Sequence, residues 1–503
     1  MPPMNILLIT ADQWRGDCLS SMDHPILATP NLDSLAAESL QFRRHYANAV
    51  PCGPSRASLH TGMYLHNHRS GTNGTPLDQR FTNWALELRE QGYDPVLFGY
   101  THTAMDPRGV PEDHPGLQND EGILPGIRPM IDMGTQCPDW RDFLQARGYT
   151  LPAIHGATYS MRAAASATAS GPEPVIFDKT HTDTWFLTDA LMHFINQHPL
   201  DQKKTQGWCT HLSLRAPHPP WVAAAPYNHR YPLADLPKPQ RQADIKTEQA
   251  SHPWLQQHLA SSRNRSHTDP VRHQLLQASY YGLMSEVDDN MGRLVNWLKA
   301  SGQWDNTLLI FTSDHGEQMG DHWMYGKAGY FDQSYHIPLI VHLPGGTPGV
   351  CDAFTEHVDI LPTLLDVLQL PVPRQCDGFS LLPWLTGGLP ATDQTLRHWR
   401  TCAHFEFDFR HSQAENALGL NMENACLNVI RDQHYKYVHF ADLPCLLFDL
   451  QQDPFELHNI APAAPAIVAR YAQQLLSWRL RTTDKTLSHL QIKPGTGLTD
   501  MRT

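Results

Sequence analysis

Short apolar runs that end in polar residues recur along the chain, and segments with a helical period lie between them. The runs occupy residues 5–10, 95–100, 208–214, 307–312 and 337–343. Apolar residues recur at helical spacing over 32–42, directly after Thr29-Pro30, and again over 269–300. Buried strands that alternate with helices predict an α/β fold with a mostly parallel sheet flanked by helices.

The pattern divides the chain into a large part and a smaller tail. A break near 387–394 separates the α/β part, 1–390, from a tail, 391–503. The elements predicted in the tail are strands at 426–430 and 435–440 and a helix at 464–481. They predict a smaller C-terminal α+β domain. Residues 227–268 are rich in Gln, His, Pro, Ser and Arg with little periodicity, which predicts an insertion or arm over the large domain.

Composition and charge exclude several classes of protein. With 41% hydrophobic residues among 503, the chain is too apolar to be disordered. Its 38 Lys+Arg against 51 Asp+Glu give a net charge of −13. The sequence has no run of Lys or Arg that could bind along a phosphate backbone, so nucleic acid is not an expected partner. The start lacks a basic segment and nowhere are 18 consecutive residues apolar, which predicts a soluble cytoplasmic protein with no membrane partner. The nine cysteines are odd in number, scattered and without CxxC spacing, which argues against a disulfide framework or a structural zinc site.

Two pairs of polar residues stand directly behind predicted strands. Asp12-Gln13 follows the first apolar run, and Asp314-His315 follows the fourth. Because ligands of a parallel sheet bind beyond the carboxyl ends of its strands, we expect these side chains to meet at one edge. Two carboxylates and an imidazole suit a divalent cation; Mn²⁺ is favoured, and Ca²⁺ or Mg²⁺ also fits. The alternative for each aspartate taken alone is a cap on the following helix.

A third cluster lies between Cys52 and Gly62, where the sequence reads Cys-Gly-Pro-Ser-Arg-Ala-Ser-Leu-His-Thr-Gly. Pro54 is expected to open a helix there, and a helix N-terminus favours negative charge on a nucleophile or a bound anion. The motif resembles the signature of the formylglycine-dependent sulfatases and phosphonate monoester hydrolases of the alkaline phosphatase superfamily. Further matching segments follow in the same order at 314–317, 359–363, 377–383 and 447–450. The resemblance covers nearly the whole chain and implies an alkaline-phosphatase-like fold with a large mixed, mostly parallel sheet.

The resemblance also implies a modified nucleophile. In that family the cysteine, here Cys52, is oxidised to formylglycine by a separate maturation enzyme, and residue 52 joins Asp12, Gln13, Asp314 and His315 around the metal. One hydroxyl of the aldehyde hydrate attacks the phosphorus or sulfur of a small anionic ester, and deprotonation of the other collapses the resulting hemiacetal ester by C–O cleavage. The alternative for Cys52 is a buried inert thiol, which is the interpretation kept for the other eight cysteines.

Three further side chains take roles by the same resemblance. Arg56 would hold and orient the hydrate. His218 would protonate the leaving oxygen or bind the substrate oxyanion. Lys327 would neutralise charge that builds on a nonbridging or leaving oxygen. Taken outside their motifs, all three are as readily ordinary surface residues.

Departures from the sulfatase pattern indicate the branch of the family. Gln13 stands where sulfatases have an acid, His315 where they have an asparagine, and Tyr100 where they have a lysine, and all three match the phosphonate monoester hydrolases. His102 instead keeps the sulfatase-type histidine. Asn73 is a candidate to donate a hydrogen bond to a nonbridging oxygen of the substrate, or else a turn residue.

The predicted function is therefore metal-dependent hydrolysis of phosphonate monoesters and phosphodiesters. These substrates and sulfate monoesters are all monoanions near neutral pH, so an arylsulfatase with cross-reactivity is the close alternative. An alternative of another class is a non-catalytic metal-binding pseudoenzyme in which Cys52 stays a thiol. By analogy with the resembling proteins, a homo-oligomer is expected.

Overall fold

The computed structural model describes residues 4–134, 136–162, 172–198, 206–387 and 399–501. In these ranges the strands are β1 (Asn5–Ala11), β2 (Leu40–Tyr46), β3 (Ala49–Val50), β4 (Pro95–Gly99), β5 (Arg128–Asp132), β6 (Cys209–Leu214), β7 (Thr307–Thr312), β8 (His336–Ile337), β9 (Leu339–His342), β10 (Gly349–Glu356), β11 (Ala403–Asp408), β12 (Cys426–Arg431), β13 (Tyr435–Phe440), β14 (Leu446–Asp449), β15 (Leu490–Lys493) and β16 (Gly497–Asp500). The helices are α1 (Pro30–Ala37), α2 (Cys52–Thr61), α3 (Leu65–His68), α4 (Trp84–Glu90), α5 (Pro138–Gln145), α6 (Asp183–Gln197), α7 (Ile245–Gln249), α8 (Pro253–His258), α9 (Pro270–Ala300), α10 (Asp332–Tyr335), α11 (Ile360–Val367), α12 (Leu382–Leu385), α13 (Gln413–Leu418) and α14 (Pro465–Thr482).

A large mixed sheet forms the centre of the fold. Its order is β10-β2-β9-β7-β1-β6-β4-β5, with β8 beside β2, and β15 and β16 form a separate hairpin. The neighbours of β1, β4 and β10 are all parallel to them, whereas β8 and β9 run antiparallel to their neighbours. The predicted mixed, mostly parallel sheet is confirmed. Both β1 and β7 are buried along their whole length, as expected for strands covered on two faces.

Helices cover both faces of this sheet. Alternate residues of β1 point to opposite sides, so Leu7 and Ile9 join an apolar cluster with α6 and α9, while Ile6 and Leu8 join a cluster with α2, α4 and α11. The long helix predicted over 269–300 is confirmed as α9, and no helix of the described ranges combines the length and apolar content needed to cross a bilayer.

The tail builds a smaller sheet on a strand of the large part. The order is β14-β13-β12-β11-β3, and the short β3 pairs in parallel with β11. The strands predicted in the tail are confirmed as β12 and β13, and the helix as α14. The predicted boundary between residues 390 and 391 lies outside the described residues, as does the break from 388 onward.

Two predicted elements were wrong in extent. The helix predicted over 32–42 ends before β2 begins at Leu40, because Leu40 and Phe42 alternate with a polar residue and are buried by pairing with β10. The single strand predicted over 337–343 is divided into β8 and β9 at Pro338, which has no N–H to donate to a ladder.

The segment 227–268, predicted as an insertion or arm, contains α7 and α8. Trp254 of α8 is fully buried and packs edge-on against Phe407 of β11, with ring centroids 6.0 Å apart. The segment therefore contacts the smaller sheet.

Candidate active site

The carboxyl ends of β1 and β7 lie side by side, as the sequence predicts. Thr10 and Thr312 are register partners, so the chain delivers an aspartate two residues later from each strand to the same edge. Four buried side chains offer ligand atoms there within 4.8 Å of one another: Asp12, Cys52, Asp314 and His315. Four of the five residues predicted around the metal are thus brought together.

Arg56 holds the two carboxylates in place. Its guanidinium is fully buried and donates to Asp12 Oδ2 at 3.1 Å and to Asp314 Oδ2 at 3.0 Å. It also donates to the Tyr100 carbonyl at 3.1 Å and to Ser213 Oγ at 2.9 Å. These four contacts hold the guanidinium against both aspartates, and the role of Arg56 in orienting the hydrate stays a prediction.

One carboxylate oxygen at this edge has no hydrogen-bond donor among the residues that the structure describes. Asp12 Oδ1 is buried and makes no hydrogen bond within the described part of the chain, while His315 Nε2 lies 3.7 Å away. Burial disfavours the ionised carboxyl, but His218, His315, Arg56 and Lys327 together hold the pKa of Asp12 well below its usual value. A buried, ionised acceptor without a donor, beside a second carboxylate and an imidazole, fits a divalent cation.

Cys52 is the first residue of α2, and Gly62, in the left-handed conformation, caps the end of this helix. The Gly53 N–H donates to Asn73 Oδ1 at 2.9 Å, so Asn73 fixes the start of the helix. Burial and the nearby Asp12 carboxylate raise the pKa of the Cys52 thiol to about 12. The unmodified thiol is therefore protonated at neutral pH and is a poor nucleophile.

Gln13 and Lys327 contact each other beside the ligand cluster. Lys327 Nζ donates to Gln13 Oε1 at 2.5 Å, and Gln13 Nε2 donates to the Glu317 carboxylate. Although burial disfavours the ammonium, Cys52 and Asp12 raise the pKa of Lys327 above its usual value. Lys327 is therefore cationic and close to the nucleophile position.

Tyr100 and His102, which follow β4, both lie in the site. The Tyr100 hydroxyl donates to Asp12 Oδ2, and the Arg56 guanidinium stacks on its ring 4.5 Å from the centroid. His102 Nε2 is buried without a hydrogen-bond partner among the described residues, and its ring would lie 3.6 Å from a Cβ at Gly53. Burial lowers the pKa of His102 to about 4, so the ring is neutral.

His218 lines a small cavity of about 40 Å³. Its Nδ1 lies 2.7 Å from the Pro219 carbonyl, which only accepts, so the proton of the neutral ring is on Nδ1. Burial lowers its pKa well below the usual value. The cavity has mainly apolar and aromatic walls, including Trp140, Tyr159 and Phe177.

Two residues of the site were not predicted. Ser213, the penultimate residue of β6, accepts from Arg56, and Glu317 accepts from Gln13. Glu317 lies in the matching segment 314–317, three residues after Asp314, and its place in that segment could have marked it as a site residue. Ser213 carried no signal beyond its place near a strand end.

Two aspartates, an imidazole and a helix-terminal cysteine meet at one edge of the α/β sheet, and this set of ligands fits a divalent cation. The sulfatase family profile matches residues 4–370, and that of the N-sulphoglucosamine sulphohydrolase C-terminal region matches residues 320–481. The chain belongs to the sulfatase family, as its cysteine motif predicts.

The similar proteins extend over essentially the whole chain. The multifunctional alkaline phosphatase superfamily protein PehA of Trinickia caryophylli is 40% identical over 517 residues, covering 98% of both chains. The crystal structure of a phosphonate monoester hydrolase of Agrobacterium radiobacter superposes with a TM-score of 0.91 at 40% identity, covering 99% of this chain and 100% of that chain. A choline-sulfatase of Rhizobium meliloti is 27% identical over 463 residues, covering 91% of this chain and 82% of its own. The predicted fold and the resemblance to the phosphonate monoester hydrolases are confirmed.

Proposed function

We propose that this protein is a metal-dependent hydrolase that cleaves monoanionic phosphonate monoesters and phosphodiesters with a formylglycine made from Cys52. The observation that carries the proposal is the meeting of Asp12, Cys52, Asp314 and His315, with one carboxylate oxygen lacking a donor among the described residues. The 40% identity to a phosphonate monoester hydrolase over the whole chain supports the choice of substrate.

Asp12, Asp314, His315 and residue 52 would hold the cation, with Gln13 beside them. Mn²⁺ is favoured because the donors mix hard carboxylates with an imidazole, and Ca²⁺ or Mg²⁺ are the alternatives. The cation supplies Lewis-acid activation of the nucleophile and of the ester, and the hydrated aldehyde supplies the attacking hydroxyl.

The charges around residue 52 suit a monoanionic ester. Two acids, Asp12 and Asp314, and two bases, Arg56 and Lys327, act on this position and balance one another. A divalent cation adds two positive charges, which match one negative charge on the nucleophile and one on the substrate.

The chain's own residues orient the substrate and move the proton. Lys327 is cationic and stabilises negative charge on a nonbridging oxygen. His218 has its proton on Nδ1, so it acts as a general acid only after Nε2 takes a second proton, which a bound anion favours. The apolar and aromatic side chains beside His218 offer a surface for contact with the organic group of the ester.

Kinetics with three substrates test the choice of ester. We expect kcat/KM for a phenylphosphonate aryl ester and an aryl phosphodiester to exceed that for an aryl sulfate. Arylsulfatase activity is the second candidate, favoured by His102 and by the similarity to a choline-sulfatase. A dominant aryl sulfate rate would reverse the order.

The mass of the Cys52 peptide tests the nucleophile. Conversion to formylglycine lowers it by about 18 Da, the difference between CH₂SH and CHO. Active protein that carries only the thiol at residue 52 would refute the assignment. Protein produced in its own host that is inactive and still carries the thiol would favour the pseudoenzyme. The proposal requires a maturation enzyme as a partner.

We also propose a homo-oligomer. Exposed apolar side chains are frequent near the C-terminal end of the described chain: Leu476, Leu480, Leu487, Ile492, Leu498 and Met501. Such a concentration is typical of contact surfaces. Sedimentation velocity tests this, and a monomer at micromolar concentration would contradict it.

A further inference from the structure

The side-chain amide of Gln13 lies between two groups with opposite hydrogen-bonding character. Lys327 Nζ, which only donates, contacts Gln13 Oε1 at 2.5 Å, and a Glu317 carboxylate oxygen accepts from Gln13 Nε2. Gln13 and Glu317 are both fully buried, so water does not replace either contact. The amide therefore has one satisfied orientation and one in which both contacts fail.

The Glu317 carboxylate is itself fixed by the backbone. Its Oε1 accepts from the N–H groups of Met319 at 2.8 Å and Gly326 at 2.7 Å. These donors leave Oε2 as the oxygen that faces Gln13. The orientation of the amide is thus set by two main-chain donors through one carboxylate.

We propose that Glu317 is a positioning residue that fixes the Gln13 amide with its oxygen toward Lys327 and the carboxylate cluster. This gives a physical reason for a glutamine at position 13. An acid there would place one carboxylate against another, and the pair would be satisfied only after one of the two acids took up a proton. The inference rests on the proposed function only for its catalytic consequence, because the orientation itself is measurable without turnover.

The variant Glu317→Gln reverses the pattern at nearly constant shape. The backbone donors keep the amide oxygen of the new side chain at position 317, so its NH₂ faces Gln13. Gln13 must then either oppose NH₂ with NH₂ or rotate and point its own NH₂ at the Lys327 ammonium. Both arrangements lose a buried hydrogen bond, and the rotated one also turns the Gln13 oxygen away from Lys327.

The decisive experiment measures Mn²⁺ affinity by calorimetric titration of the metal-free protein in two backgrounds. With Gln13 present, we expect Glu317→Gln to raise the Kd for Mn²⁺ about tenfold or more. With Gln13→Met, which has no polar end to orient, the same change at 317 should have little effect. An equal loss in both backgrounds would mean that Glu317 acts through its charge alone, and would overturn the proposal.

Thermal unfolding of the metal-free variants gives a second test. It remains informative if the single variant Glu317→Gln folds poorly. When Gln13→Glu is combined with Glu317→Gln, the new carboxylate at position 13 accepts both from the new amide at position 317 and from Lys327. The double variant should therefore melt at a higher temperature than Gln13→Glu alone, and a lower melting temperature would contradict the matched pair. Glu248→Gln is the control, since Glu248 is a buried acid bonded to His322 and the Gln242 N–H. It should leave the Kd for Mn²⁺ unchanged.

Discussion

Two buried clusters in this protein each combine one arginine with two carboxylates. The edge cluster, at the carboxyl ends of β1 and β7, consists of Asp12, Arg56 and Asp314. The inter-sheet cluster, between the end of β10 and the start of β11, consists of Glu356, Asp359 and Arg400. The two clusters contain nearly the same residue types and are similarly buried. Residue types and burial therefore do not distinguish a functional cluster from a structural one.

The difference lies in the hydrogen bonds of the carboxylates. In the inter-sheet cluster the Glu356 oxygens accept from Tyr64 Oη at 2.5 Å and the His404 N–H at 2.7 Å, and Asp359 accepts from both arms of Arg400. In the edge cluster Asp12 Oδ1 accepts from no described donor. A buried carboxylate whose oxygens are all paired is a structural contact that is costly to break, whereas one with an open oxygen is a candidate ligand.

The largest expected effect is a loss of turnover without a loss of stability. Cys52→Ala should lower kcat about 10³-fold or more, because it removes the nucleophile, while the melting temperature changes little. Steady-state kinetics and thermal unfolding on the same preparation measure both. Retained turnover in Cys52→Ala would refute the nucleophile assignment.

Neutralising one acid in each cluster tests the comparison directly. Asp12→Asn should raise the Kd for Mn²⁺ about 100-fold or more, because it removes the open ligand, and it should also destabilise the metal-free protein, because Arg56 loses one of its two buried carboxylate partners. Asp359→Asn should leave the Kd unchanged but lower the free energy of unfolding by about 3–5 kcal/mol, because Arg400 loses a buried partner. Calorimetric titration and urea unfolding distinguish the two. Metal loss in both variants, or in neither, would remove the distinction.

The scaffold under the edge cluster should be sensitive to acid. His211 bonds the Thr10 hydroxyl behind β1, and burial lowers its pKa to about 3. The unfolded state therefore binds the extra proton between about pH 6.5 and 3, and His211 contributes a stability loss of about 1.4 kcal/mol per pH unit as the pH falls through this window.

The contribution of His211 is measured by comparing how the free energy of unfolding changes with pH in the parent protein and in a His211 variant. Buried acids with raised pKa, such as Glu286 at about 8, change stability in the opposite direction over part of this range. His211→Gln should make the loss of unfolding free energy shallower between about pH 6.5 and 5. Identical slopes for the variant and the parent protein would show that His211 is not neutral in the folded state.

The smallest expected effect concerns the substrate. His102 has a buried Nε2 without a partner in the described ranges, beside the start of α2. His102→Thr should lower kcat/KM for an aryl sulfate relative to a phosphonate ester by about two- to tenfold, the value of one hydrogen bond. An unchanged ratio would remove His102 from the discrimination between the two esters.

The sequence predicts the site well where it depends on strand ends. Asp12 and Asp314 follow apolar runs, so local pattern places each of them at a strand end, and the distant pairing of β1 with β7 then brings them together. The cysteine motif was recognisable because its spacing is local. The engagement of Arg56 by two aspartates, a carbonyl and Ser213 was not predictable, because these groups come from different strands.

The same limit applies to the fold. The helical pattern of 32–42 continued into β2, and only the partner strand β10, some 300 residues later, decides where the helix ends. The pairing of β3 with β11, which joins the tail to the large part, is equally non-local. Local pattern predicts the elements, and distant contacts set their ends and partners.

An anomalous difference map at the manganese absorption edge, from crystals grown with Mn²⁺, would locate the cation. We expect one peak among Asp12, Asp314, His315 and residue 52, with Asp12 Oδ1 about 2.0–2.6 Å from the ion. A map without a peak there, with Asp12 Oδ1 hydrogen-bonded to a protein donor, would contradict this expectation.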